Sequence, residues 1–375
     1  MAQPAVDLYV LSGFLGSGKT TLLGHLLRHS DFSDTAVIVN EFGEVGLDHD
    51  LLESARDDVV VLPGGCICCA IREDLASTIR RLIERRDTGR LRPFRRIVIE
   101  TSGVADPVPV IFTLRTDPRI RQACSLRGLI VTVDAQNALQ TFEHQIESVR
   151  QVALADRIVI TKTDLVDDDI VSSVSQAVAQ LNPSASLMTA AAGAISPALL
   201  LRDLEHEPQR GDGGAGMWLG ELRPAETPPA AGFTVAGHSA RYRSISWRRS
   251  GQIDWSSFGI WLTMLLHAHG DRVLRVKGIL QIEGAVGPVA IHGVQHTVHP
   301  PVHLQSGAGA ARESRLVFVI SGVSETSICE SLDAFLTLTN AARGSTPASI
   351  RPGSCGGIIG GRPVRRPMAP AWLKG

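Results

Sequence analysis

The sequence predicts a doubly wound, mostly parallel α/β domain followed by a small α+β domain. Three observations support this. Short apolar runs recur at 6–11, 35–40, 59–62, 96–100, 129–133 and 157–160, with helix-like patterns between them at 21–29, 73–86, 142–154 and 170–181. Strands that are apolar throughout, instead of alternating, belong to a parallel sheet covered on both faces. The runs also end in glycine-rich or polar turns, at the edge where open α/β sheets bind ligands. Finally, the composition shifts to Gly, Pro and Ala from 205 to about 237, and beyond it the element order changes. Strand-like 242–247, 273–282, 289–291 and 315–320 then accompany helix-like 255–267 and 325–335. The expected division is an α/β domain at 1–204, a linker at 205–240, an α+β domain at 241–340 and a flexible tail at 341–375.

Composition bounds the function. The chain has 375 residues, 44% of them hydrophobic and 20% charged, which suits well-packed cores. A formal net charge of -1 gives no electrostatic case for nucleic acid as the main partner. No apolar run reaches membrane-spanning length. The first apolar run lacks a basic flank and leads into a glycine-rich loop, so it reads as a core strand and not as a signal peptide. A cytoplasmic protein is expected, in which the six cysteines are free thiols, metal ligands or redox groups before they are disulfides. Oligomeric state is not legible.

The most informative stretch follows the first strand. Gly13, Gly16, Gly18, Lys19 and Thr20 spell G-x-x-x-x-G-K-T, a P-loop. Such a loop wraps backbone N–H groups around nucleotide phosphates, with the lysine neutralising charge and the threonine hydroxyl on Mg²⁺. Leu15, Ser17 and Thr21 lie in the same loop-to-helix stretch and are further candidates for nucleotide contact. The strand–loop–helix context makes this a P-loop NTPase type of sheet.

Two more strand ends carry chemistry. Thr161, Lys162, Thr163 and Asp164 follow the run at 157–160 in the x-K-x-D form. The Asp164 carboxylate can accept from guanine N1–H and the exocyclic amine, while the Lys162 stem lies along the base; adenine lacks that donor pair. Glu100 ends the run at 96–100, where such sheets place an acid near Mg²⁺ and the attacking water. Gly103 follows closely enough to offer its N–H to a γ-phosphate.

Cys66, Cys68 and Cys69 form a C-x-C-C cluster after a Gly-Gly turn. Three thiolates suit Zn²⁺, and a tetrahedral site needs one more ligand or water. Glu41 and Glu44, in the polar loop at 41–50, are the candidates. Inert buried cysteines or a redox pair between Cys66 and Cys69 are the other readings. His292, His296, His299 and His303 are dense enough for a second metal site, but Pro300 and Pro301 interrupt them, which favours packing or surface roles.

In order and spacing, GFLGSGKTT, NEFGEVGLD, PGGCICC, VIETSGVADP, TVDA and ITKTDL resemble the CobW-type metallochaperone GTPases of the CobW/HypB/UreG superfamily. VLRVKGIL, IHGVQHTVHPP and SRLVFVISG resemble the C-terminal domain of that family. The resemblance covers roughly residues 8–335. It implies slow GTP hydrolysis with Mg²⁺, binding of a transition metal, commonly Zn²⁺ or Co²⁺, and delivery of that metal to a client metalloprotein. Carried over, Lys19 and Thr20 hold phosphate and Mg²⁺, Glu100 takes the Walker-B position, Asp164 reads guanine, and Cys66, Cys68 and Cys69 hold metal. Two departures matter. The 205–237 stretch holds only His206 where many members carry a histidine-rich run. Thr161 stands where Asn frequently braces the phosphate loop. Competing readings are a small-molecule kinase or ligase on the same loop, and a GTPase with a purely structural zinc.

Overall fold

The computed structural model describes residues 5–40, 59–62, 70–202, 204, 241–304, 313–342 and 354–357. The first half forms a seven-stranded sheet in the order β3-β2-β4-β1-β5-β6-β7. Its strands are β1 Val6–Gly13, β2 Thr35–Asn40, β3 Val59–Leu62, β4 Arg96–Thr101, β5 Cys124–Asp134, β6 Arg157–Thr161 and β7 Ser186–Ala190. Every pairing is parallel, with Leu11 beside Glu100, Gly13 beside Thr132, and Asp134 beside Thr161. The turns after β1, β4, β5 and β6 therefore leave the sheet at one edge, with β1 in the middle.

Helices cover both faces, unevenly. Leu8 and Val10 of β1 join a core with α2 (Ala70–Asp87), α3 (Val108–Thr116), α4 (Pro118–Ala123), α5 (Ala138–His144), α6 (Ile146–Leu154) and α7 (Asp168–Leu181). Tyr9 and Leu11 point the other way, onto Leu22, Leu23, Leu26 and Leu27 of α1 (Lys19–Arg28) and onto Leu200 and Leu201 of α8 (Pro197–Leu201).

Some elements differ from expectation. The single helix expected at 142–154 is two, because Gln145 is extended between α5 and α6. Helices α3 and α4 were not expected. Prolines sit at the N-terminus of each, where a missing N–H costs nothing, and the Asp117 side chain caps α4 by accepting from the Arg119 and Ile120 N–H groups. Edge strand β7 (SLMTA) has alternating exposure, so it lacks the continuous apolar run of its neighbours.

The second half is an antiparallel sheet in the order β11-β10-β9-β13-β8-β14, with β12 on β10. Its strands are β8 Tyr242–Ser250, β9 Val273–Leu280, β10 Val289–Val294, β11 Thr297–Val298, β12 Val302–His303, β13 Glu313–Ser321 and β14 Ser354–Gly357. β14 lies within the stretch read as a tail, and it pairs with β8. The segment read as a linker lies outside the described residues. Helices α9 (Trp255–His269) and α10 (Glu325–Ala342) pack together over one face, around Trp247, Phe258, Trp261 and Phe318. The indoles of Trp247 and Trp261 donate to Asp333 and Ser331, both at 3.0 Å, so neither N–H is left unpaired in the core. Cys329, buried here, is disulfide-bonded, against the expectation of a free thiol. Cys124 is free, and burial pushes its thiol up to about 12, which makes it inert.

The other face of this sheet packs on α6 and α7, and Tyr242, Leu274, Val294 and Val319 enter the core of the first domain. At the centre of the interface Arg275, fully buried, donates to the Leu154 carbonyl at 2.7 Å and pairs with Asp156. Asp156 Oδ2 also accepts the Leu129 N–H at 2.8 Å. Burial pushes the Asp156 carboxyl up, but Arg275, that N–H and Lys277 outweigh it and hold the group below the usual carboxylate range. Beside it, the ring centroids of His292 and His299 lie 3.9 Å apart with the planes tilted by 36°, and His299 Nδ1 meets the Arg115 guanidinium at 2.8 Å. Burial, then neighbouring cations, hold both imidazoles well below their usual pKa, so they are neutral. The packing role expected for these two histidines is thus the observed one.

An Asp156→Asn variant strands a buried guanidinium. It should cost about 3 kcal/mol at neutral pH, measured by urea unfolding. Because the folded-state pKa is depressed, the contribution of the carboxylate is complete above its unfolded value of about 3.9 and fades as pH falls through the folded value. The gap between variant and wild type should therefore close in acid. No difference at neutral pH would remove the pair from the interface.

Candidate nucleotide-binding site

Strand β1 runs into the phosphate loop without a break. Gly13 has φ +144°, and a Cβ there would lie 2.3 Å from Thr132 Oγ1 on β5, so only glycine lets the loop turn against its neighbour. Ser17 locks the turn by sharing a 2.7 Å hydrogen bond with Thr132. Gly18 then starts α1 in a left-handed conformation with no side-chain cap and no acid in the first turn. The uncapped N–H groups and the positive end of the helix suit an anion. Lys19, nearly buried, lies over the loop and donates to the carbonyls of Gly13 at 2.9 Å and Phe14 at 3.2 Å. Leu15, 60% exposed at the crest, and Thr21, on the first turn of α1, complete the loop.

The next strand end supplies the acid. Thr20 Oγ1 donates to Glu100 Oε1 at 2.8 Å, and Glu100 is fully buried at the end of β4. These two oxygens, 80 residues apart in sequence, are hard donors of the kind that Mg²⁺ takes. Gly103 lies flat against the loop: a Cβ would come within 2.7 Å of the Leu15 nitrogen. Glycine is required there by close approach.

The end of the site that the x-K-x-D sequence occupies is built by β5, β6 and β7 together. Thr161 Oγ1 donates to the Ser17 carbonyl at 2.7 Å, so threonine braces the phosphate loop at the position where asparagine is frequent in the family that the sequence resembles. Lys162 is left-handed, with φ +56°, and its ammonium pairs with Asp134 at 2.8 Å. Burial raises the Asp134 carboxyl, but Lys162, Asn137 and the Gln136 N–H lower it further, below the usual range. Asp164 is exposed and accepts the Ala192 N–H at 2.8 Å, from the turn after β7.

The structure therefore brings Gly13, Lys19, Thr20, Glu100, Gly103, Thr161, Lys162 and Asp164 to one edge. It adds Thr132, Asp134 and Ala192, which were not singled out. Asp134 had a signal, an acid directly after an apolar run, as at Glu100. Ala192 had none, since Ala190–Gly193 carries no polar side chain to mark it. Cys66, Cys68, Cys69, Glu41 and Glu44 lie outside the described residues. Their flanks do not: Asn40 at the end of β2 pairs with both Leu62 of β3 and Thr101 of β4. Among the described residues no group of three or more His, Cys, Asp or Glu could hold a metal ion.

The Thr161 brace is testable. Thr161→Val should weaken GDP binding about fivefold, the worth of one hydrogen bond near 1 kcal/mol, and Thr161→Asn should restore it. Titration calorimetry on both variants checks this, and unchanged affinity in Thr161→Val would show that the brace is idle.

The profile of the CobW/HypB/UreG nucleotide-binding domain matches residues 7–189, and that of the cobalamin synthesis protein CobW C-terminal domain matches residues 242–336. The Zinc chaperone YjiA of Escherichia coli (strain K12) is 34% identical over 290 residues, 77% of this chain and 86% of that protein. The Zinc-regulated GTPase metalloprotein activator 1 of Schizosaccharomyces pombe is 30% identical, over 53% of this chain and 49% of that protein. The crystal structure of Zn(II)-bound YjiA GTPase from E. coli superimposes with a TM-score of 0.67 and 25% identity, covering 89% of this chain and 99% of that one. With both family domains present in order over the observed fold, the chain belongs to the CobW family of P-loop GTPases.

Proposed function

We propose that this chain is a GTP-driven metallochaperone that holds Zn²⁺, or Co²⁺, as cargo and passes it to a client metalloprotein. Cys66, Cys68 and Cys69, with Glu41 or Glu44 as a further ligand, form the cargo site in this reading. The relatives named as zinc chaperones support the cargo class. The observation that carries the coupling is the register at the sheet edge. Glu100 and Thr101 stand beside Val39 and Asn40, and Asn40 stands beside Leu62. The strand ends at Asn40 and Leu62, which Glu41 and Cys66 follow in sequence, thus stand next to the strand that carries Glu100.

Each residue has a role in that cycle. Lys19 and the N–H groups of the loop bind the phosphates. Thr20 and Glu100 would hold Mg²⁺, which supplies charge neutralisation between the β- and γ-phosphates when bound. Glu100 also lies where an attacking water can be oriented, and Gly103 is close enough to the loop to respond to the γ-phosphate. Asp164 accepts from the two guanine donors once the Ala192 N–H is shared or released. GTP then completes the metal site, and hydrolysis to GDP loosens it and releases the ion.

Reciprocity sets the test. If GTP tightens metal binding, metal must tighten GTP binding by the same factor, and couplings of this kind are about 5- to 150-fold. Zn²⁺ affinity should be at least about fivefold higher with a non-hydrolysable GTP analogue than with GDP. Equal affinities would sink the coupling and leave a structural zinc. For the base, Asp164→Asn should lose GTP affinity by about tenfold or more and gain affinity for xanthosine triphosphate, whose C2 carbonyl accepts from the new amide. ATP binding by the wild type as tight as GTP binding would instead favour a kinase or ligase.

A further inference from the structure

We infer that Gln151 is a positioning residue for GTP hydrolysis, holding the Gly103–Ala105 turn against the phosphate loop through its side-chain amide. The inference rests on the GTPase reading and extends it to a residue on a helix that touches no nucleotide element in sequence.

Gln151 lies on α6 and is 1% exposed. Its Nε2 donates to the Gly103 carbonyl at 3.0 Å and to the Ala105 carbonyl at 3.1 Å. One amide thus spans a turn that has a single backbone bond of its own at this point, from the Ala105 N–H to the Ser102 carbonyl at 3.0 Å. The neighbouring Arg150 ties the same turn a second time, through an ion pair with Asp106 at 3.1 Å. A trans peptide points its C=O and N–H in opposite directions. Fixing the Gly103 and Ala105 carbonyls therefore fixes where the N–H groups of Val104 and Asp106 face. It also fixes the backbone of Gly103, the residue pressed on Leu15 of the loop.

The chemistry of the side chain fits that role and little else. Two carbonyls need two donors on one short, neutral group. Lysine or arginine would bring an unpaired charge into the core. Gln151 Oε1, by contrast, is buried with no hydrogen-bond partner among the described residues. An orphaned buried acceptor costs about 1–3 kcal/mol. A side chain chosen for packing alone would be apolar here, so the amide is retained for its donors. Helix α6 is itself held from the far side, since its Leu154 carbonyl accepts from Arg275 of the second domain.

The test uses the full chain, with kcat and KM for GTP, GDP affinity and thermal melting measured on Gln151→Leu and Gln151→Glu. Gln151→Leu should lower kcat by about tenfold while GDP affinity stays within about twofold, because misplacement of a reacting geometry affects the transition state before it affects ground-state binding. Gln151→Glu adds a readout that packing would not move. Its protonated form still has a donor, and its carboxylate faces two carbonyl oxygens. The kcat of this variant should therefore fall, relative to wild type, as pH rises through the carboxyl range. The inference is overturned if kcat in both variants stays within about twofold of wild type, or if GDP affinity and kcat fall together in Gln151→Leu and the pH profile of Gln151→Glu matches wild type. A wild-type chain that turns over no GTP would sink the GTPase reading instead, a result distinguishable from either.

Discussion

The parallel register around β1 is the constraint on which the rest of this structure depends. Leu11 beside Glu100 and Gly13 beside Thr132 bring an acid of β4 and a hydroxyl of β5 level with the end of β1, where the loop leading to Lys19 of α1 begins. Side chains alternate along a strand, so a slip of one residue would turn Glu100 to the other face and break its contact with Thr20. The hydroxyl contacts at the loop, Ser17 with Thr132 and Thr161 with the Ser17 carbonyl, hold only in that register. Positioning of the phosphate loop is thus a property of the sheet, and the local glycines permit it without specifying it.

How much of this was legible in the sequence follows from the range of the interactions. Strands with a continuous apolar sequence are readable wherever they lie in the sheet, so 35–40, 59–62 and 157–160 were legible as runs and match the observed strands to within a residue. Lys19, Thr20, Glu100 and Asp164 were legible because each chemical type sits at a strand end whose position the run defines. The edge strand β7 was not legible, since one of its faces meets solvent. Ala192 contributes only an N–H, and a backbone donor has no residue signature. Gln151 was hidden for a different reason: an amide in a helical pattern looks like any polar position, and only the fold brings it within reach of Gly103.

The histidine run shows how packing decides between readings that sequence leaves open. His292 and His299 lie against one another in an interface that also holds Arg115, Arg275 and Lys277. A divalent cation placed among those guanidinium and ammonium groups would face repulsion at short range in a medium of low dielectric. Neutral imidazoles suit such a place better. Arg115 itself feels the burial, its pKa drawn down to about 10, which still leaves it charged at neutral pH.

Helix α3 connects these parts mechanically. It starts beside Asp106, one residue after the carbonyl that Gln151 holds, and Arg115 in its last turn touches His299 of the second domain. At 1.5 Å per residue its nine residues span about 13 Å. A helix of this length is stiff, so displacement of one end carries the other with it. The second domain is therefore joined through α3 to the turn that Gln151 holds. Removing it would uncover the Asp156 carboxylate and the apolar flank of α6.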